Sequence, residues 1–262
     1  MSMVGDAGGA APGPTRLVFG FHAVAARLRS RPGSVLELYV ADGRGDARLR
    51  QLLATAGERG VRIVHLPAER LDRMLQGQRH QGVAAAVRIE AMPRHLDDVL
   101  DGVTGHPLVL ALDGVQDPHN LGACLRCADA MGVHAVIAPK DRAVGITPVV
   151  EKVASGATES VPYVMVTNLA RELDALKDRG LFAVGLAGEA EDGIAGQRLD
   201  GPLVLVMGAE GGGMRRLTRE RCDVLVRIPM FGQVESLNVS VAAGICLYEA
   251  RRQRAAREAS RH

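Results

Sequence analysis

Between residues 16 and 90 apolar runs suited to strands alternate with stretches suited to amphipathic helices. "LVFGFHAVAARLRSRP" (17–32) reads as a short strand or turn leading into a helix that Pro32 stops. "VLELYVAD" (35–42) and "VRIVHLP" (61–67) read as strands. Between them "DARLRQLLATAGERG" (46–60) is an amphipathic helix closed by Gly60. "AERLDRMLQG" (68–77) is a second amphipathic helix and "QGVAAAVRIE" (81–90) a last strand. This alternation predicts a small α/β sandwich over 16–90, and "AMPRHLDDVLDGVTGHP" reads as a connector, drawn at 91–104.

A second alternation follows in which the strands are apolar throughout. "PLVLALDGV" (107–115), "HAVIAP" (134–139), "LFAVGLA" (181–187), "PLVLVMGAE" (202–210) and "VLVRIPM" (224–230) are strand candidates. Helices are predicted at 120–131, 168–180 and 214–222, and a long one over 236–259. Strands without a polar face, separated by helices, predict a mostly parallel sheet covered on both sides. The domain is drawn at 105–250, with a basic tail at 251–262.

Composition narrows this little: 262 residues, 47% apolar, 24% charged and 3% aromatic. Charge distribution says more. Residues 16–94 hold 14 Arg, no Lys and 7 acids, a net +7. Residues 102–250 hold 13 bases and 18 acids, a net −5, and from Arg251 onward five Arg face one Glu. A basic first domain and a basic terminus fit a polyanion grip. Genome bias explains 29 Arg against 3 Lys but not the uneven acids. "MSMVGDAGGAAPGPT" lacks a basic start and an apolar stretch, so it reads as a disordered tail over 1–15 and not as a signal peptide. No apolar run is long enough to span a bilayer, and four cysteines make no disulfide framework, which points to a reducing cytoplasm.

Several familiar chemistries fail on spacing. "GAEGGGM" (208–214) follows a strand, yet no choice of its glycines yields the dinucleotide fingerprint, and Met214 stands where a phosphate-binding lysine would follow. The loop keeps one carboxylate, Glu210. Cys124 and Cys127 form a C-x-x-C without a second pair, so buried structural cysteines are expected, and no metal is assigned. No G-x-S-x-G elbow is present. Three polar clusters remain after three strands: Asn120 with Arg126, Glu210, and Ser236 with Asn238. Strand ends on one side of a parallel sheet converge where such sheets hold ligands. Singly, each has a plain reading, Asn120 as a helix cap and Arg126 as a partner of Asp129 one turn on.

As a set, "DPHNLGACLRCADAMGVHAVI", "LVLVMGAEGGGM" and "IPMFGQVESLNVSVAAG" resemble, in order and spacing, the three signature motifs of the SpoU-type (TrmH-type) RNA ribose 2′-O-methyltransferases of the knotted SPOUT superfamily. "FGFHAV", "RHQGVAAAV" and "ASGATESVPYVMVTNLA" are similar to the bacterial subfamily acting on guanosine of 23S rRNA. The likeness covers residues 17–250. It implies a C-terminal trefoil knot, an N-terminal L30e/L7Ae-like RNA-binding domain, a homodimer, and S-adenosylmethionine as cofactor. It implies catalytic roles for Asn120, Arg126, Glu210, Ser236 and Asn238. Positions matching its cofactor contacts are Gly208, Gly211, Ile228, Met230 and Leu237. Gly213 departs from the family, which carries a basic or polar residue there.

Methyl transfer from a sulfonium needs in-line approach of the ribose oxygen and loss of its proton, so positioning should supply most of the rate. A cation beside that oxygen favours the alkoxide, the role expected of Arg126. The family's alternative, arginine as general base, is physically expensive for a residue type that titrates above about 12. The same chemistry on tRNA or another rRNA nucleotide, and a non-catalytic ribosome-assembly factor on the same fold, are the competing readings.

Overall fold

The computed structural model describes residues 15–260 apart from 44, 79, 89–91, 93 and 94. The tail read over 1–15 lies, but for Thr15, outside them. The chain divides into two compact units, residues 1–91 and 92–262.

The first unit carries β1 (Thr15–Phe19), α1 (Phe21–Ser30), β2 (Val35–Ala41), α2 (Ala47–Glu58), β3 (Arg62–Leu66), α3 (Ala68–Met74) and β4 (Val83–Arg88). Its sheet runs β1-β4-β2-β3, parallel only between β2 and β3. Two stretches singled out in the sequence meet here. The Phe21 amide donates to the Gln81 side chain (3.4 Å), and the Gly20 amide to the Val83 carbonyl (3.0 Å). The Gly82 amide donates to His80 Nδ1 (3.0 Å), which places the proton on Nε2 facing Asp72 at 2.7 Å. From His80 to Val83 this stretch therefore builds a turn, with Gln81 held at φ +52°.

The second unit holds α4 (Leu96–Asp101), β5 (Leu108–Asp113), α5 (Pro118–Ala130), β6 (Ala135–Pro139), α6 (Pro148–Ala154), β7 (Tyr163–Val166), α7 (Leu169–Asp178), β8 (Phe182–Leu186), β9 (Leu203–Gly208), α8 (Arg216–Arg221), β10 (Val224–Val226) and α9 (Val239–Ala259). Its six strands are all parallel, in the order β10-β8-β9-β5-β6-β7. Every residue of β5 is buried. Leu108, Leu110 and Leu112 enter one core while Val109 and Ala111 enter the other, because successive side chains leave a strand on opposite faces. That two-sided burial is why the strand reads as continuously apolar.

Three differences from the sequence reading have local causes. The stretch read as a connector contains α4, whose Leu96 and Leu100 are buried in the second unit's core. α6 and β7 have no counterpart among the predicted elements; each is short, seven and four residues. As far as Ala259 the basic tail drawn from 251 is the second half of α9, and its described arginines are engaged. Arg254, 7% exposed, donates to the carbonyls of His106 (2.8 Å), Pro107 (3.0 Å) and Gly201 (2.7 Å). Arg257 pairs with Asp200 (3.0 Å), Arg252 with Glu249 (2.7 Å), and Arg251 bonds the carbonyls of Met131 and Gly132. No described helix is long and apolar enough to cross a membrane.

Candidate active site

The site grows from the carboxyl ends of neighbouring parallel strands, where the chain leaves β5, β8, β9 and β10. β5 ends at Asp113, and α5 begins five residues later with Pro118 as its first residue. The cap of α5 is Asp117, whose carboxylate accepts from the His119 amide at 2.7 Å. Asn120 is thus not the cap that its residue type suggested. It lies inside the first turn, 8% exposed, with its side chain free for other partners.

Those partners come from the other two motifs. Asn120 Nδ2 donates to Glu210 Oε1 (3.2 Å), and Asn238 Nδ2 lies 2.8 Å from Asn120 Oδ1 and 2.6 Å from Glu210 Oε1. The Val239 amide completes the set at 3.4 Å from Glu210 Oε1. Asn238 also caps α9, its Oδ1 accepting from the Ser240 amide at 2.9 Å. One carboxylate oxygen therefore gathers donors from the starts of two helices.

The glycines of 208–214 explain how Glu210 gets there. Ala209 and Gly213 exchange two backbone hydrogen bonds (3.1 and 3.0 Å), closing a tight hairpin with Gly211 at φ +74° and Gly213 at φ +62°. A Cβ on Gly208 would lie 2.1 Å from the Gly213 carbonyl carbon, so only glycine lets the loop fold back on its strand. Gly213, where the resemblance leads one to expect a basic or polar residue, takes a left-handed backbone that strains an L side chain.

Beside this cluster opens a cleft of about 1330 Å³, with walls supplied by the loops after β8, β9 and β10. All five expected cofactor positions line it: Gly208, Gly211, Ile228, Met230 and Leu237. Glu210, Ser236 and Asn238 line it too. Its walls combine apolar side chains, Leu186, Met207 and Val226 among them, with backbone from three loops. That mixture suits a flat heteroaromatic ring with polar edges.

Arg126 is placed differently. Six residues beyond Asn120 on one helix, it sits about 9 Å along the axis and on another face. It is exposed, does not line the cleft, and makes no hydrogen bond or ion pair among the described residues. Nor does it pair with Asp129, which accepts from the Ser160 hydroxyl. Its neighbour Cys127 packs on α9, with Sγ 4.0 Å from the Ser240 carbonyl. Cys124 is buried, and burial, with Cys127 and Glu210 adding, pushes its thiol up to about 12. A thiol held protonated does not serve as a redox nucleophile.

Sequence reasoning missed Asp113 and Arg215. Asp113 is 1% exposed and accepts from the Arg215 amide (2.8 Å) and its Nε (2.6 Å), tying the end of β5 to the segment after the Glu210 hairpin. The available signal was an acid ending an otherwise apolar strand.

The SpoU rRNA Methylase family model matches residues 107–248, and the model for RNA 2'-O ribose methyltransferase substrate binding matches 17–93. The chain is 57% identical over 240 residues to the 23S rRNA (guanosine-2'-O-)-methyltransferase RlmB of Ralstonia nicotianae, covering 92% of this chain and 96% of that protein. It is 53% identical over 239 residues to the enzyme of the same name from Neisseria meningitidis, covering 91% and 96%. Among solved structures it is similar to the SpoU methyltransferase AviRb of Streptomyces viridochromogenes in complex with AdoMet, with TM-score 0.63, 27% identity, and 92% and 91% of the two chains covered. With both family models matched in order and identity above one half to such relatives, the chain belongs to the SpoU rRNA methylase family.

Proposed function

We propose that the protein transfers a methyl group from S-adenosylmethionine to the ribose 2′-hydroxyl of a guanosine in 23S rRNA. The observation that carries this is the Asn120–Glu210–Asn238 cluster on the edge of a cleft lined by all five expected cofactor positions. The named relatives with this activity cover almost the whole chain.

When bound, S-adenosylmethionine supplies an electrophilic methyl on a sulfonium. The backbone of Gly208, Ile228 and Leu237, with Gly211 and Met230 nearby, is assigned to hold it. Glu210, with both asparagines donating to it, keeps the loops in register, and Ser236 and Asn238 face the nucleotide. Arg126 is assigned to stabilise the ribose oxygen as its proton leaves to phosphate or water. Its distance from its own chain's cleft is best met by a homodimer in which it completes the partner's site. Two features support that reading. Val241, Ile245 and Tyr248, at helical spacing on α9, are 50%, 39% and 60% exposed. Cys127, beside Arg126, packs on that same helix.

The first unit is assigned to RNA, on its exposed arginines Arg48, Arg50, Arg59, Arg70 and Arg73. The C-terminal trefoil knot and the L30e/L7Ae-like character of the first unit belong to the same reading. The experiment is mapping of 2′-O-methyl marks on 23S rRNA from cells with and without the gene, followed by transfer of labelled methyl in vitro. One guanosine mark is expected to vanish, and Arg126→Ala to abolish transfer while cofactor binding persists. An unchanged methylation map would end the proposal.

A further inference from the structure

We propose that Phe231 and Arg227 form an edge that recognises single-stranded RNA beside the methylation site. Phe231 stacks on an unpaired base flanking the modified nucleotide, and Arg227 takes a phosphate next to it. The inference rests on the RNA-methylation reading above.

Phe231 is 97% exposed, the highest value among the exposed large apolar side chains described. The chain has only four Phe, three Tyr and no Trp, so an aromatic left in solvent is a scarce residue spent on no core. It forgoes the gain that burying an aromatic ring brings. It is not stranded on a remote loop. It lies in the segment between β10 and α9 and lines the same cleft as Glu210, Ser236 and Asn238.

Charge gives the occupant its chemistry. Two arginines line that cleft. Arg219 is held by Glu189, but the guanidinium of Arg227 has no partner among the described residues. Its backbone is fixed: the amide donates to the Asp192 carbonyl (2.8 Å), and its carbonyl accepts from Ile194 (2.9 Å). A free cation on fixed backbone, four residues before an exposed aromatic, matches the pairing by which single-stranded nucleic acid is held. Residues 227 and 231 also bracket Ile228 and Met230, assigned above to the cofactor, so a base stacked there lies next to the methyl donor.

The test uses the full chain and a 23S rRNA fragment containing the mapped guanosine, with 2-aminopurine at each flanking position in turn. Transfer of labelled methyl by the unaltered protein is read first; its failure would strike down the RNA-methylation reading and this inference with it. Given transfer, binding is expected to quench one flanking 2-aminopurine. Phe231→Ala should lose that quenching and raise KM for the RNA about 5- to 150-fold, the range expected for one base stacked on an aromatic. Affinity for S-adenosylmethionine by calorimetry and sedimentation behaviour should stay unchanged, and Phe231→Trp should restore quenching. Arg227→Gln should lower the slope of log affinity against log salt by about 1. Unaltered quenching and KM in Phe231→Ala would overturn the inference. So would weaker cofactor binding, which makes Phe231 a cover for the cofactor, or a changed oligomeric state, which makes it a contact between copies.

Discussion

Glu210 Oε1 takes donors from Asn120, Asn238 and the Val239 amide, all from residues distant in sequence. Glu210→Ala removes the acceptor and leaves both side-chain amides without their shared partner. Because small misplacements at a reacting centre cost about 100-fold, kcat for methyl transfer should fall by that order while the fold persists. Gly208→Ala is a sharper probe, since its Cβ meets the backbone of Gly213 and Met214 at 2.1 and 2.2 Å. Calorimetric titration with S-adenosylmethionine should show binding lost, with circular dichroism unchanged; normal affinity would mean that this hairpin does not shape the cleft. At this scale much of the site was legible. Asn120, Glu210 and Asn238 were named from the motifs, and the structure brings them together. The plain reading of Asn120 as a cap yields to Asp117, which before Pro118 is the better signature for a helix start. Arg126 was named too, but the place of its side chain relative to the cleft was beyond spacing alone.

Among elements, α9 shows how a charge run misleads. Its arginines read as a free polyanion-binding tail, yet Arg254 reaches three carbonyls and is 7% exposed. Burial, with Arg251 adding, draws its pKa down to about 10. Lysine carries the charge but not the planar fork, so Arg254→Lys leaves part-buried carbonyls without donors. A loss of about 3 kcal/mol in urea denaturation is expected from what such orphaned acceptors cost; a loss below about 0.5 kcal/mol would mean that α9 is anchored elsewhere. The strands of the central sheet were plain from their continuous apolar runs. α6 and β7 were not, because seven- and four-residue elements carry too few positions to establish a period.

For the whole molecule the question is where Arg126 acts. On the proposed reading a second copy accounts for its exposure, its absence from its own cleft and the apolar stripe of Val241, Ile245 and Tyr248. Co-expression of Arg126→Ala and Glu210→Ala chains under different tags tests this directly. If Arg126 serves the partner's site, the mixed dimer carries one complete site and recovers about half of the unaltered activity, although each homodimer is inactive. An inactive mixed dimer would place Arg126 in its own chain's site.

What the sequence by itself determined was order and type: a basic α/β unit, then a parallel sheet, then three polar motifs at strand ends. Periodicity carries that information because burial on one or two faces leaves its mark on every second or every third to fourth residue. Only the tertiary structure decided which polar atoms meet. It joined Asp113 to Arg215, drew Arg251 and Arg254 onto backbone carbonyls, and left Arg227 and Phe231 open to solvent. Those outcomes depend on distances between residues up to 148 positions apart, set by strand order and helix packing, and no local pattern records them.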